Sequence, residues 1–294
     1  MTRSLCTLCP RRCGVDRAAP DKARGYCGED ALPRVAKVML HMWEEPCVSG
    51  AHGAGTVFFN GCSLRCVYCQ NSAVSRGGDG VPYTPEALAQ VFLDLQAQGA
   101  ECLDLVTPTH FTDGIRAALD LARPKLRLPV VWNTSGYETV ETVRSLAGYA
   151  DVFLTDFKYC SPELSARYSA APDYCEVALS ALREMVALVG RPRIEGGLIK
   201  SGVIVRHLVL PRAYRDSIDV LRLIAEQIGS ENVLLSLMAQ YTPDFVADPA
   251  KFPELCRRIT TYEYEKAADE ARGLGFDGWF QQRQAADKGY TPEF

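Results

Sequence analysis

The segment GTVFFNGCSLRCVYCQN, residues 55–71, changes character at its midpoint. Its first half, TVFFN at 56–60, is a short run of β-branched and aromatic residues, which reads as a strand buried on both faces. Its second half places Cys62, Cys66 and Cys69 in the loop that follows, spaced C-x3-C-x2-C. The same alternation recurs downstream. CLDLV (102–106), PVVWN (129–133), DVFLTDF (151–157), VIVRHLVL (203–210) and NVLLSLM (232–238) are predicted strands. Stretches of helical period at about 84–99, 112–123, 138–148, 176–190, 214–229 and 250–273 are predicted helices. Thr84-Pro85 and Thr112-Asp113 supply capping chemistry for two helix starts. Strands alternating with helices imply an α/β fold with a parallel sheet. Six such units imply a partial (β/α)6, TIM-like barrel, with its chemistry on the loops after the strands' C-terminal ends.

Three segments result: a Cys-rich metal-binding extension over 1–50, the barrel over 51–245, and a C-terminal helix and tail packing on the barrel over 246–294. The 294 residues, 47% of them hydrophobic, suffice for one large core or two modest domains. The formal net charge of −4 gives no basic face for phosphates, so no nucleic-acid partner is expected. No apolar run approaches the ~20 residues that span a bilayer, so no membrane partner is expected either. The opening MTRSLCTLCPRRCG has no apolar signal core, which predicts a cytoplasmic protein.

Twelve cysteines are many for such a chain. Without a secretion signal, clustered cysteines more often hold metal than form bridges. Three thiolates on one short loop can face a single centre, and thiolates select zinc, copper(I) or iron–sulfur clusters. Structural zinc needs a closed set of four ligands, and neither a His nor a fourth Cys lies in this loop. A cubane held by three cysteines leaves one iron open for substrate or cofactor. A zinc knuckle completed by a distant residue is the alternative.

C-x3-C-x2-C with Tyr68 before its last Cys resembles the signature of radical S-adenosylmethionine enzymes, and residues 50–245 resemble the activating enzymes of glycyl-radical enzymes. The resemblance implies a 4Fe-4S cluster on Cys62, Cys66 and Cys69. Its open iron would chelate the amino and carboxylate groups of S-adenosylmethionine, and one electron would release a 5′-deoxyadenosyl radical that abstracts hydrogen. WNTSGY (132–137) and LTDFKY (154–159) resemble strand ends that build a monovalent-cation site in that family. This would put Asn133, Thr134 and Asp156 at the cation and Lys158 near the cofactor; oxygen ligands suit a hard cation. RHLVLP (206–211) implies that Arg206 meets the cofactor carboxylate. In LMAQY (237–241), Gln240 replaces an adenosine-contacting His. VTPTH (106–110) stands where the family has Gly-Gly-Glu, so Thr107 and Thr109 would offer hydroxyls and no carboxylate. The implied electron donor is flavodoxin or ferredoxin. The implied substrate is a backbone glycine in a glycyl-radical enzyme, with a peptide, protein side chain or small molecule as alternatives. A reading of another class is a non-catalytic iron–sulfur or zinc redox-sensing module, which leaves the polar residues at successive strand ends unexplained.

Cys6, Cys9, Cys13 and Cys27 form a complete four-thiolate set, suited to zinc or to an auxiliary 4Fe-4S cluster, as relay or as staple. The remaining Cys47, Cys102, Cys160, Cys175 and Cys256 are expected as small core residues. His110, at a strand end, either touches cofactor or substrate or is a bonded loop histidine. His207 is expected to be structural, and His41 and His52 have no distinguishing context. Glu44-Glu45 is expected as a solvated pair rather than as part of a substrate mouth.

Overall fold

The computed structural model describes residues 5–18, 24–78 and 80–281. Its strands are β1 (Arg34–His41), β2 (Ala54–Phe59), β3 (Val81–Pro82), β4 (Leu103–Val106), β5 (Val130–Thr134), β6 (Val152–Asp156), β7 (Arg193–Glu195), β8 (Leu198–Leu208), β9 (Leu234–Met238) and β10 (Gly278–Phe280). Its helices are α1 (Pro46–Ser49), α2 (Ser72–Ser75), α3 (Pro85–Ala97), α4 (Thr112–Ala122), α5 (Val140–Ser145), α6 (Pro162–Ser169), α7 (Tyr174–Val189), α8 (Tyr214–Gln227) and α9 (Thr261–Gly273).

The sheet runs β10-β9-β8-β6-β5-β4-β2-β1-β3, parallel from β2 to β10. Each of the six predicted strands pairs with its neighbours in chain order. Crossovers that wind always in one direction and with one hand put the helices on one face, so the sheet curls on its other face into a partial barrel. A doubly wound sheet would reverse its strand order. The two faces are legible residue by residue. Val57, Phe59, Leu103, Leu105, Trp132, Phe153, Val203, Val205, Leu235 and Leu237 join the large core under the helices. The alternate positions Ala54, Cys102, Val131, Val152, Leu154, Ile204 and Leu234 form a small core inside the barrel, closed by Cys47 and Val48 of α1.

Thr84 caps α3 by accepting from Ala87 N–H, with Pro85 at the first turn. Thr112 is not a cap: a 3₁₀ turn, Thr109–Phe111, runs directly into α4, and the Thr112 hydroxyl donates to Thr109 O at 2.7 Å. The helix predicted at 250–273 starts only at Thr261, under a Thr260/Glu263 capping box. Pro253 instead opens a short 3₁₀ turn, Pro253–Leu255, because proline disfavours helix in the residues before it. α6 and the strand β1 are additions to the predicted pattern. β1 lies within the expected extension 1–50, yet it pairs antiparallel with β2 in the same sheet. In the segment 246–294, α9 packs against α8 and β10 joins β9; residues 282–294 lie outside the described residues. Among the described residues no helix is long and apolar enough to cross a membrane.

Candidate active site

The cysteine loop begins where β2 ends. Asn60 is fixed on both sides, by Nδ2–H to Glu29 Oε1 at 2.7 Å and by Gly78 N–H to its Oδ1 at 2.9 Å. Gly61 follows with φ +80°; a Cβ there would come within 2.6 Å of the Cys27 carbonyl oxygen, so only glycine fits. The loop is held from α6: Val67 N–H donates to Tyr168 O at 2.9 Å, and the Ser169 hydroxyl donates to Cys66 Sγ at 3.0 Å. Leu64 N–H donates to Cys62 Sγ at 3.3 Å. Cys62, Cys66 and Cys69 all open on one cavity of about 560 Å³ at the C-terminal ends of the strands, a size typical of small-molecule and cofactor sites. Burial, and then the neighbouring Cys66 sulfur, push the Cys62 thiol up; the same forces push Cys69 up to about 12. Thiols such as Cys62 and Cys69, whose ionisation is opposed by burial and by a neighbouring sulfur, suit a cationic centre, which binds them as thiolates.

Tyr68, Thr107, Asn133, Thr134, Asp156, Lys158, Arg206 and Gln240 border the same cavity. Lys158 Nζ pairs with Asp156 Oδ2 at 2.5 Å. Burial works against the ammonium, but Asp156 and then the Cys66 sulfur outweigh it and raise its pKa. Thr107 takes a left-handed backbone, φ +58°. Asn133 Nδ2 donates to Asp104 Oδ2 at 3.5 Å, and the Thr134 hydroxyl donates to Glu138. The three residues expected at a cation thus each have another partner.

Three expectations are corrected. Thr109 does not border the cavity; it is buried, with its hydroxyl on Glu138. Arg206 borders it, but its guanidinium grips Glu45 at 2.8 Å through both Nε and Nη2, and also bonds Glu44. Burial opposes both charges, pulling Arg206 down and Glu45 up, and the two-point contact offsets that cost. Glu44 and Glu45 are therefore buried cavity walls rather than a solvated pair.

A carboxylate does reach the TPTH turn, from the loop after β5. Glu138 is 2% exposed and accepts from Thr109 and Thr134, while its Oε2 has no partner among the described residues. Burial pushes it up to about 7. Asp104, a lone acid in an apolar strand, is likewise pushed up to about 7 by burial, against hydrogen bonds from Asn133 and Thr56. His110 is a bonded loop histidine, with Nε2 at 2.7 Å from Asn60 O, and burial pulls it down to about 3. His207 bonds Phe157 O through Nδ1 at 2.7 Å. His41, which carried no signal, borders the cavity. His52 pairs with Glu101 at the surface. Of the scattered cysteines, Cys47 and Cys102 are buried as expected; Cys160 and Cys175 are half-buried, with sulfurs 3.7 Å apart, and Cys256 is exposed.

The N-terminal cysteines sit in a knuckle whose described residues form no helix or strand, packed on the cysteine loop and on the first turn of α5. Burial, and further Glu138, Cys27 and Cys6, push Cys9 up to about 12; Cys27 is raised by burial and feels Cys6 and Cys13. Among the described residues no three His, Cys, Asp or Glu side chains gather closely enough for a single metal ion.

Comparison with known proteins adds the following. Residues 56–191 match the family model described as Radical SAM superfamily. The uncharacterized protein MJ0674 of Methanocaldococcus jannaschii is 29% identical over 287 residues, covering 92% of this chain and 75% of that one. Among solved structures, methylornithine synthase (PylB) matches with a TM-score of 0.49 and 14% identity, over 76% of this chain and 66% of that one. Streptococcus suis SuiB bound to S-adenosylmethionine matches with a TM-score of 0.47 and 13% identity, over 76% of this chain. The match spans 48%, about half, of the SuiB chain.

Proposed function

We propose, from the match of residues 56–191 to the Radical SAM superfamily model, that this protein is an enzyme that cleaves S-adenosylmethionine reductively and takes a hydrogen atom from a substrate. The observation that carries the reading is the opening of three cysteine thiols on the same cavity as the polar strand ends. When bound, a 4Fe-4S cluster supplies one electron to the sulfonium, giving methionine and a 5′-deoxyadenosyl radical that becomes 5′-deoxyadenosine on taking the hydrogen.

The chain's own residues bind, orient and exclude water. Cys62, Cys66 and Cys69 would hold the 4Fe-4S cluster and leave a position on it for the cofactor. The left-handed turn at Thr107 presents backbone carbonyls and a hydroxyl to the cofactor amino group, and Glu138 fixes that turn through Thr109 and Thr134. Lys158, kept charged by Asp156, neutralises the cofactor carboxylate. Tyr68 and Gln240 flank the adenosine. The Arg206–Glu45 pair makes a rigid, dry floor. The electron comes from a flavodoxin or ferredoxin. The four N-terminal cysteines hold a second centre, iron–sulfur or zinc. The resemblance to activating enzymes makes a glycine in a partner protein the leading hydrogen donor, ahead of a peptide, side chain or small molecule.

The test is anaerobic loading with iron and sulfide, then dithionite and S-adenosylmethionine. Equimolar 5′-deoxyadenosine and methionine support the reading; a reducible cluster that leaves the cofactor intact supports the redox-sensing module instead. A glycine-centred EPR doublet in a candidate partner would identify activation, and its absence across candidates would retire that substrate.

A further inference from the structure

We propose that the hydroxyls of Tyr68, Tyr159 and Ser169 form an ordered hydrogen-bond chain ending on the Cys66 sulfur, with Arg11 of the N-terminal knuckle as the positioning residue that holds its last member. The proposal rests on the reading of Cys66 as a cluster ligand. Tyr68 OH lies 2.6 Å from Tyr159 OH, Tyr159 OH lies 2.9 Å from Ser169 Oγ, and Ser169 Oγ lies 3.0 Å from Cys66 Sγ. All four residues are buried.

Directionality follows from the end point. A ligating thiolate has no proton to give, so Ser169 donates to it. The Ser169 oxygen then accepts from Tyr159, and the Tyr159 oxygen accepts from Tyr68. Every proton points toward the sulfur, and each bond polarises the next.

Arg11 secures the sulfur end. Its Nη2 donates to Ser169 O at 2.9 Å, its Nη1 to Ala170 O, and its Nε to Ser63 O at 2.9 Å, while the guanidinium stacks over Tyr26 at 4.0 Å. Ser169 ends α6 and Ala170 is its left-handed C-cap. Carbonyls at a helix end lack partners within the helix, and a cation there is favourable. Arg11 thus ties the carbonyl beside the donor hydroxyl to the carbonyl next to Cys62. Hydrogen bonds to sulfur and nearby positive charge both favour the more negative, reduced cluster.

The test uses the full chain, anaerobically loaded, with the midpoint potential and EPR spectrum of the Cys62/Cys66/Cys69 cluster as readouts. S169A is expected to lower the potential most, Y159F less and Y68F least, a gradient that a purely structural role would not produce. R11M lowers it as well, and R11K restores part of the shift. Y168F, whose hydroxyl meets Glu254 instead, leaves it unchanged. Parental potentials in fully loaded S169A and Y159F overturn the chain, and a parental R11M overturns the part given to Arg11. Should S169A fail to load, Y159F, which keeps its ring, decides. A parent that assembles no cluster overturns the ligand reading itself, a result distinct from the others.

Discussion

Two groups of cysteines lie on either side of one backbone contact, that of Gly61 with the Cys27 carbonyl, and they are built in opposite ways. Cys62, Cys66 and Cys69 inherit their positions from regular structure: β2 ends before them, α2 begins after them, and α6 supports them from the side. They open on the cavity. Cys6, Cys9, Cys13 and Cys27 stand in a segment whose described residues form no strand or helix, away from the cavity, and lean on the first group. The difference teaches that a barrel rim can hold an incomplete ligand set in place and keep a coordination position free. A knuckle with little apolar core of its own would draw stability from a bound centre, if the proposed one is present.

The sharpest break of that comparison is Cys66→Ala, expected to abolish cluster loading and cofactor cleavage while far-UV circular dichroism stays parental, because the sheet does not depend on the loop. Next in size is Arg206→Met, which leaves Glu44 and Glu45 buried without their cation. It is expected to cost about 3–5 kcal/mol in urea unfolding; a loss below about 1 kcal/mol would mean that the floor is wet. A third test uses pH. Glu138 and Asp104 have folded pKa values raised to about 7, above the ~4.3 and ~3.9 of the unfolded chain. Folding therefore binds protons, and the stability that these groups contribute is present below about pH 4 and lost as pH rises through 7. Glu138→Gln should flatten that fall by up to roughly 3 kcal/mol, and an unchanged slope would show that Glu138 is solvated.

Smaller effects separate the two groups. If the proposed second centre is held there, Cys9→Ser should lower the thermal midpoint by about 5 °C through its loss, with the iron of the cavity cluster retained. Loss of both centres together would show that the groups are a single unit. Cys256→Ser, at an exposed position, should change stability by less than about 0.5 kcal/mol in the same assay.

What the sequence made legible follows the same division. The six parallel strands were readable because strands covered on both faces are largely apolar, as in the VFL of DVFLTDF. β1 was not, because RVAKVMLH mixes lysine and arginine into a half-covered strand. Eleven of the twelve residues expected at the cysteine loop and strand ends border the cavity, since they lie at or beside the C-terminal rim of the strands; Thr109 does not, because its hydroxyl is turned onto Glu138. Glu138 itself was invisible, since its role depends on two loops meeting in space. Asp104 did carry a signal, as the lone acid in CLDLV. The Glu44-Glu45 pair was misread because an acidic dipeptide is solvated unless a cation comes to it, and Arg206 lies 161 residues from Glu45. Ser169 and Arg11 had no sequence signature.

The most direct measurement is the EPR spectrum of the reduced, loaded protein before and after addition of S-adenosylmethionine labelled with ¹⁷O in its carboxylate. The account predicts altered g-values and ¹⁷O broadening, because one iron has no protein ligand and takes the cofactor. An unchanged spectrum with the cofactor present in excess would contradict it, since the fourth iron would then already be filled by the chain.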